Sequence, residues 1–275
     1  MKKDQFLYKL VLTALFSALA FGATYIHIPL PTGFIHLGNF VCIIAALLAG
    51  GIVGGISGAL GMGIYDLIYY GGFSAGVLRT LILKFLMGFI AGALFRLILK
   101  KKFNTKVIVI SFLTIFTLLF GLTLYLTIAS PFKIGEKNVS FHVIIPIFTG
   151  IITLLYLFTL IFHHFIKRPA REALAASSVA IAVNIFGEIF LKAFLYYLIE
   201  TKYDTFEAAY IYSISGIPSV IITSTITLVF AVLAYQPLYY ATKNFNKIND
   251  VANLIDDYDY DDESKEKVDN DIINA

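Results

Sequence analysis

Long apolar stretches and short polar breaks alternate along most of the chain. Eight apolar segments stand out, at roughly 6–26, 38–53, 54–71, 76–98, 107–129, 142–164, 173–199 and 208–238. Most are long enough for a helix to cross ~30 Å of hydrocarbon at about 1.5 Å per residue. The ten-residue alternating segments of a transmembrane β-barrel are missing. The pattern predicts an all-α integral membrane protein, a bundle of about eight transmembrane helices. Residues 38–71 are too long for one span and barely long enough for two, and "AGGIVGG" at 49–55 is the natural corner between them. The first segment resembles a signal peptide at its start. Its apolar run is longer than a signal core and is followed by a partner of its own kind, so it reads as a retained helix.

Composition sharpens this picture. A mean hydropathy of +0.82, with 59% hydrophobic and 14% charged residues, excludes a soluble domain, whose surface needs more charge. The cations also orient the bundle. With the start of the chain in the cytoplasm, the inner segments hold Lys2, Lys3, Arg96, Lys100, Lys101, Lys102, Lys106, Lys167, Arg168, Arg171, Lys243 and Lys247. The outer loops hold Lys133, Lys137 and Lys202, so the count is twelve against three and both termini are expected inside. The segment from about 250 onward is different, with ten of the eighteen acidic residues, and reads as a solvated, disordered tail. The basic clusters sit at helix ends, where orientation explains them, and nothing resembles a nucleic-acid module. The single cysteine, Cys42, offers neither a disulfide nor a metal framework.

The first outer loop, "HIPLPTGFIHLGNF" at 27–40, is polar yet uncharged. Pro29 and Pro31 stiffen it, and Gly33 and Gly38 permit turns or close backbone approach. Two readings stay open: a stiff external linker, or a shaped loop that closes over a ligand. The following helices are rich in small residues at four-residue spacing: Gly50, Gly54 and Gly58; Gly51, Gly55, Ala59 and Gly63; Gly88 and Gly92. Such rows let another backbone approach one helix face, here within the bundle. Ala14 and Ala18, flanking Ser17 on an end helix, suit a docking face for another protein.

Charges inside spans are expensive and usually functional. They are Asp66, Arg79, Lys84, Glu188 and Lys192. An Asp66–Arg79 pair across the short "YYGGFSAG" hairpin is expected. Glu188 and Lys192, four apart, are placed to pair with each other, with Asn184 one turn earlier on the same face. Arg79, near the interface, is expected to snorkel. For Asp66 and Lys84, structural ion pairing and ligand contact both remain open. These groups make a polar interior in the outer half of the bundle, with the aromatics Tyr25, Phe34, Tyr65 and Tyr69 nearby.

Several chemistries are excluded. "GISG" at 55–58 matches the G-x-S-G of rhomboid proteases. A serine nucleophile needs a base at matching depth, and His27, His36, His142, His163 and His164 all lie at span edges or in loops. Ser57 therefore reads as a packing residue. No P-loop and no H-E-x-x-H occur, so no nucleotide hydrolysis, metal site or cofactor is called for.

The block "HIPLPTGFIHLGNFVCIIAALLAGGIVGGISGALGMGIYDLI", 27–68, resembles the substrate-binding S components of energy-coupling factor (ECF) transporters, in the riboflavin and related vitamin branch. "LRTLILKFLMGFIAGALFR", "NIFGEIFLKAFLYYLI" and "YSISGIPSVIITSTITLVFAVLAY" are similar to later helices of that family. Asn39 stands where the pattern often has an acid. The resemblance implies a six-helix core formed by 1–102 (helices 1–4) and 169–242 (helices 5–6), with 103–168 as an inserted hairpin and 243–275 as the acidic tail. It also implies a multi-pass protein of a bacterial cell membrane that is not itself an enzyme. It would bind a vitamin-like small molecule from outside and dock through Ala14, Ser17 and Ala18 on a transmembrane coupling protein served by two cytosolic ATPases. The first outer loop would be the lid. Phe34, His36, Asn39, Tyr65, Asp66, Lys84, Asn184 and Glu188 would form the substrate site, with riboflavin slightly favoured by the nearby rings. A stand-alone ion-coupled secondary transporter is the alternative, though no inverted repeat supports it.

Overall fold

Gly50 decides the shape of the first half of the chain. It lies alone between α2 (Gly38–Ala49) and α3 (Gly51–Tyr69), with φ of 95° and ψ of 161°. A side chain rarely tolerates that conformation, and glycine permits the reversal without a loop. The computed structural model describes residues 3–30, 33–100, 103–129, 141–161, 168–200 and 203–242. The expectations resting on Pro31, on the 130–140 loop with Lys133 and Lys137, on His163 and His164, on Lys202 and on the acidic tail lie outside the described residues. So do the orienting cations Lys2, Lys101, Lys102, Lys167, Lys243 and Lys247.

The protein is an all-α membrane protein. In order, α1 (Lys3–Tyr25) leads through a small β-hairpin to α2 and α3. There follow α4 (Ala75–Leu99), α5 (Thr105–Ala129), α6 (Phe141–Ile161), α7 (Arg168–Ile199), α8 (Phe206–Ser215) and α9 (Ile217–Thr242). Six of these are long and apolar enough to cross a membrane (α1, α3, α4, α5, α7 and α9), while α2 and α6 give shorter apolar stretches. The short α2 is the central helix, with ten of its twelve residues buried. It packs against α1, α3, α4 and α9.

Two parts differ from the expected pattern. The outer loop is not a loop: His27–Leu30 (β1) and Gly33–His36 (β2) pair antiparallel, with His27 opposite His36 and Leu30 opposite Gly33. The last segment, expected as one span over 208–238, is broken at Gly216. Pro218 just beyond lacks the N–H that would carry the helical ladder across the break. α8 packs back along the end of α7, and α9 then runs down beside α2.

The glycines of α3 face three different helices. A Cβ on Gly54 or Gly58 would meet Ala46 or Cys42 of α2. One on Gly51 or Gly55 would sit 2.5 Å or 2.8 Å from the Phe89 or Phe85 carbonyl oxygen of α4. One on Gly61 would meet the Ser17 carbonyl of α1. α4 answers with glycines of its own: a Cβ on Gly88 would lie 2.5 Å from the Gly54 carbonyl carbon, and one on Gly92 would meet the Gly51 backbone. Ser57 donates to the Thr13 carbonyl of α1 at 3.2 Å, a packing role. α5 and α6 pair with each other and lean on α7 and α9. Tyr156 of α6, fully buried against Phe112 and Phe116, hydrogen-bonds Ser178 of α7.

The α3–α4 seam yields a test. Gly92→Ala is expected to destabilise the protein by about 1–3 kcal/mol or more, because the added methyl meets backbone that has no rotamer to move. Gly121→Ala, at a glycine with open space around it, should cost nothing. Melting temperatures in one detergent compare the two.

Candidate functional site

At the hairpin end of the bundle lies a cavity of about 330 Å³, within the range of small-molecule sites. Its floor comes from α2, α4 and α7, its roof from the β-hairpin, and its sides from the α3–α4 turn, α8 and the start of α9. Phe34 anchors the roof. Its ring lies 4.9 Å from His27, 5.9 Å from Tyr65 and 5.7 Å from Tyr69, centre to centre. The Tyr65 hydroxyl is 3.3 Å from His27 Nδ1. On the other side Gly33 abuts Ser219 of α9, where a Cβ would sit 2.5 Å from the serine hydroxyl.

Below the roof the charged side chains form one network. Glu188 lies 3.4 Å from Arg79 and 3.8 Å from Lys84. Arg79 also reaches Asp66 at 3.7 Å, and Asp66 accepts the Thr80 hydroxyl at 2.5 Å. Lys84 donates to the Asn184 side-chain oxygen at 2.7 Å. The expected Asp66–Arg79 pair forms. Arg79 does not snorkel: its side chain is 13% exposed and sits between two carboxylates. Lys192 does not pair with Glu188 either. Its ammonium lies over the Tyr212 ring, 4.6 Å from the centroid, while Glu188 faces α4.

Six of the eight substrate-site residues expected from the sequence line the cavity: Phe34, His36, Asn39, Lys84, Asn184 and Glu188. Tyr65 and Asp66 do not. They stand behind the wall, Tyr65 supporting Phe34 and Asp66 holding Arg79 and Thr80. The cavity also draws on residues absent from that set, including Arg79, Lys192, Tyr70, Tyr196, Tyr212 and Thr223. The intramembrane charge of Arg79 and Lys192 was a sufficient signal for those two. The tyrosines carry no such mark in an aromatic-rich chain. Asn39 and Thr223 each present a buried side-chain oxygen with no hydrogen-bond partner among the described residues, which suits a ligand that brings donors. Ala14 and Ala18 are exposed on α1, and Ser17, between them, is half-buried toward α3.

His36 lies in β2, outside the membrane-spanning helices. Withdrawal from water, and then the Lys84 ammonium, push its pKa down to about 3. The neutral ring accepts the Gly38 N–H at 3.1 Å, securing the entry to α2. Among the described residues no cluster could hold a metal ion.

Residues 5–161 match the family model for the ECF-type riboflavin transporter, S component. The match takes in α5 and α6, which the sequence resemblance leaves out, and stops before α7–α9, which that resemblance includes. No curated protein and no solved structure matches the chain significantly.

Two predictions follow from this geometry. Glu188→Gln removes the carboxylate that two buried cations share, leaving Lys84 without an ion pair, and is expected to cost about 3–5 kcal/mol of stability, read as a fall in melting temperature. His36 is held neutral, with a folded pKa below its unfolded value of about 6.5. Its contribution to stability is therefore complete above about pH 6.5 and is lost as the pH falls toward 3. The melting temperature should decline on acidification, and the decline should be shallower in His36→Gln.

Proposed function

Since the chain belongs to the family of ECF-type riboflavin transporter S components, we propose that its cavity captures a vitamin, riboflavin in the first instance, from outside the cell. The bound ligand is then delivered through a transmembrane coupling protein driven by two cytosolic ATPases. The observation that carries this reading is the polar, aromatic-roofed cavity, built from charges that a membrane protein would not otherwise retain. Phe34, His36, Asn39, Lys84, Asn184 and Glu188 contact the ligand. Tyr65 and Asp66 support that shell from behind, and the β-hairpin is the lid.

Ala14, Ser17 and Ala18 form the docking face. α1 suits that task because only Ala20 and Thr24 are buried among its described side chains, which leaves a long face for a partner. The core comprises α1–α4 with α7–α9, and α5–α6 is an inserted hairpin. That division rests on packing, since α5 and α6 lean on α7 and α9 at one side of the bundle.

A purified preparation that carries flavin absorbance, or whose added riboflavin is quenched on titration, would support the ligand. Absence of both counts against riboflavin. Ala14→Leu and Ala18→Leu are each expected to impair uptake in cells while leaving binding by the purified protein unchanged. Equal loss of both would remove the docking face. Uptake that survives deletion of the coupling protein but is abolished by a protonophore would instead establish a stand-alone secondary transporter.

A further inference from the structure

The charges around the cavity do not balance. α3 supplies Asp66, α4 supplies Arg79 and Lys84, and α7 supplies Glu188 and Lys192. The hairpin, α8 and α9 add no carboxylate and no amine to the walls, and the hairpin's His36 is neutral. Two carboxylates thus face three cations. The geometry identifies the cation left over. Arg79 and Lys84 share Glu188, Arg79 also holds Asp66, and Lys84 is further satisfied by Asn184.

Lys192 has neither an ion pair nor a hydrogen bond among the described residues. It is nonetheless 7% exposed and lines the cavity. Its surroundings are rings, with the ammonium 4.6 Å from the Tyr212 centroid and 5.8 Å from that of Tyr196. Ring faces attract a cation. They are weak partners for an ammonium's three N–H donors, which carboxylate or phosphate oxygens satisfy with short, charge-assisted bonds. A neutral ligand closing this cavity would seal an unpaired ammonium away from water, a costly arrangement.

We infer that Lys192 is an anion-recognition residue. The ligand of this protein carries a carboxylate or phosphate, which is seated on Lys192 between Tyr70, Tyr196 and Tyr212. This inference rests on the cavity being the ligand site and narrows the vitamin reading to a negatively charged class, which puts riboflavin 5′-phosphate or a vitamin carboxylate in place of neutral riboflavin. It separates Lys192 from its neighbours: Arg79 and Lys84 are charge-compensated by carboxylates, and Lys192 is the cation left to seat an anion.

The test uses matched pairs that differ in charge: riboflavin against riboflavin 5′-phosphate, and nicotinamide against nicotinate. The full-length protein in detergent is titrated with each by calorimetry, as wild type, Lys192→Gln and Lys192→Arg. In at least one pair the anionic member is expected to bind about tenfold or more tightly. Lys192→Gln should abolish that preference, lowering the affinity for the anionic member more than that for the neutral one, and Lys192→Arg should keep it. The pair that responds tells phosphate from carboxylate. Equal or weaker binding of the anionic member in both pairs overturns the inference, as does a preference that survives Lys192→Gln. Mass spectrometry of the small molecule that co-purifies with the protein decides independently. A neutral ligand overturns the inference, whereas an anionic ligand that is not a vitamin upholds it and refutes the vitamin reading alone.

Discussion

A single carboxylate, Glu188, sits between two cations in the interior of the bundle, and the cavity depends on it. Arg79 and Lys84 project from the same helix, one turn and a residue apart, and would repel each other across any low-dielectric space. Glu188 supplies the opposite charge to both from α7, so the interaction binds α7 to α4. Arg79 passes the connection on to α3 through Asp66. Three helices are held by one network, and Arg79, Lys84 and Glu188 of that network line the cavity. Buried ion pairs of this kind are no more stabilising than well-packed hydrocarbon. Their retention here is explained by the polar cavity they create.

The roof is built on a different principle. The β-hairpin makes its one ladder with itself and then attaches by rings, through Phe34 on Tyr65 and Tyr69. Aromatic contacts are weakly directional and tolerate small displacements. A charged network below and a ring-anchored hairpin above give the cavity a fixed floor and a compliant cover. Gly216 and Pro218 add a second compliant point, because the chain between α8 and α9 lacks a continuous backbone ladder beside the cavity wall.

Much of this was legible in the sequence, because it depends on local pattern. Segment length and hydropathy place the helices. The four-residue glycine rows of α3 announce close packing, though only the structure assigns them to α2 and α4 and sets Gly61 against α1. The Asp66–Arg79 pair was visible because its partners flank one short turn. What was not legible depends on distant partners. Arg79 looks like an interfacial residue until Glu188, more than a hundred residues later, is brought beside it. The Glu188–Lys192 spacing suggests a pair, but the cations of α4 reach Glu188 first. The hairpin was hidden because four-residue strands containing a proline give too short an alternation to read. The break at Gly216 left a signal, "GIP", that an apolar background obscures.

The α3–α4 seam has a mechanical consequence. Where glycine meets glycine, as at Gly54 with Gly88 and Gly51 with Gly92, the contact is backbone against backbone and contains no rotamers. Ordering it costs no side-chain entropy, and deforming it cannot be absorbed by a side chain swinging aside. The α3–α4 pair therefore behaves as a stiff plank. A change of shape around the cavity would fall to the parts joined by more flexible contacts, the hairpin and the α8–α9 break, and would leave the plank unbent.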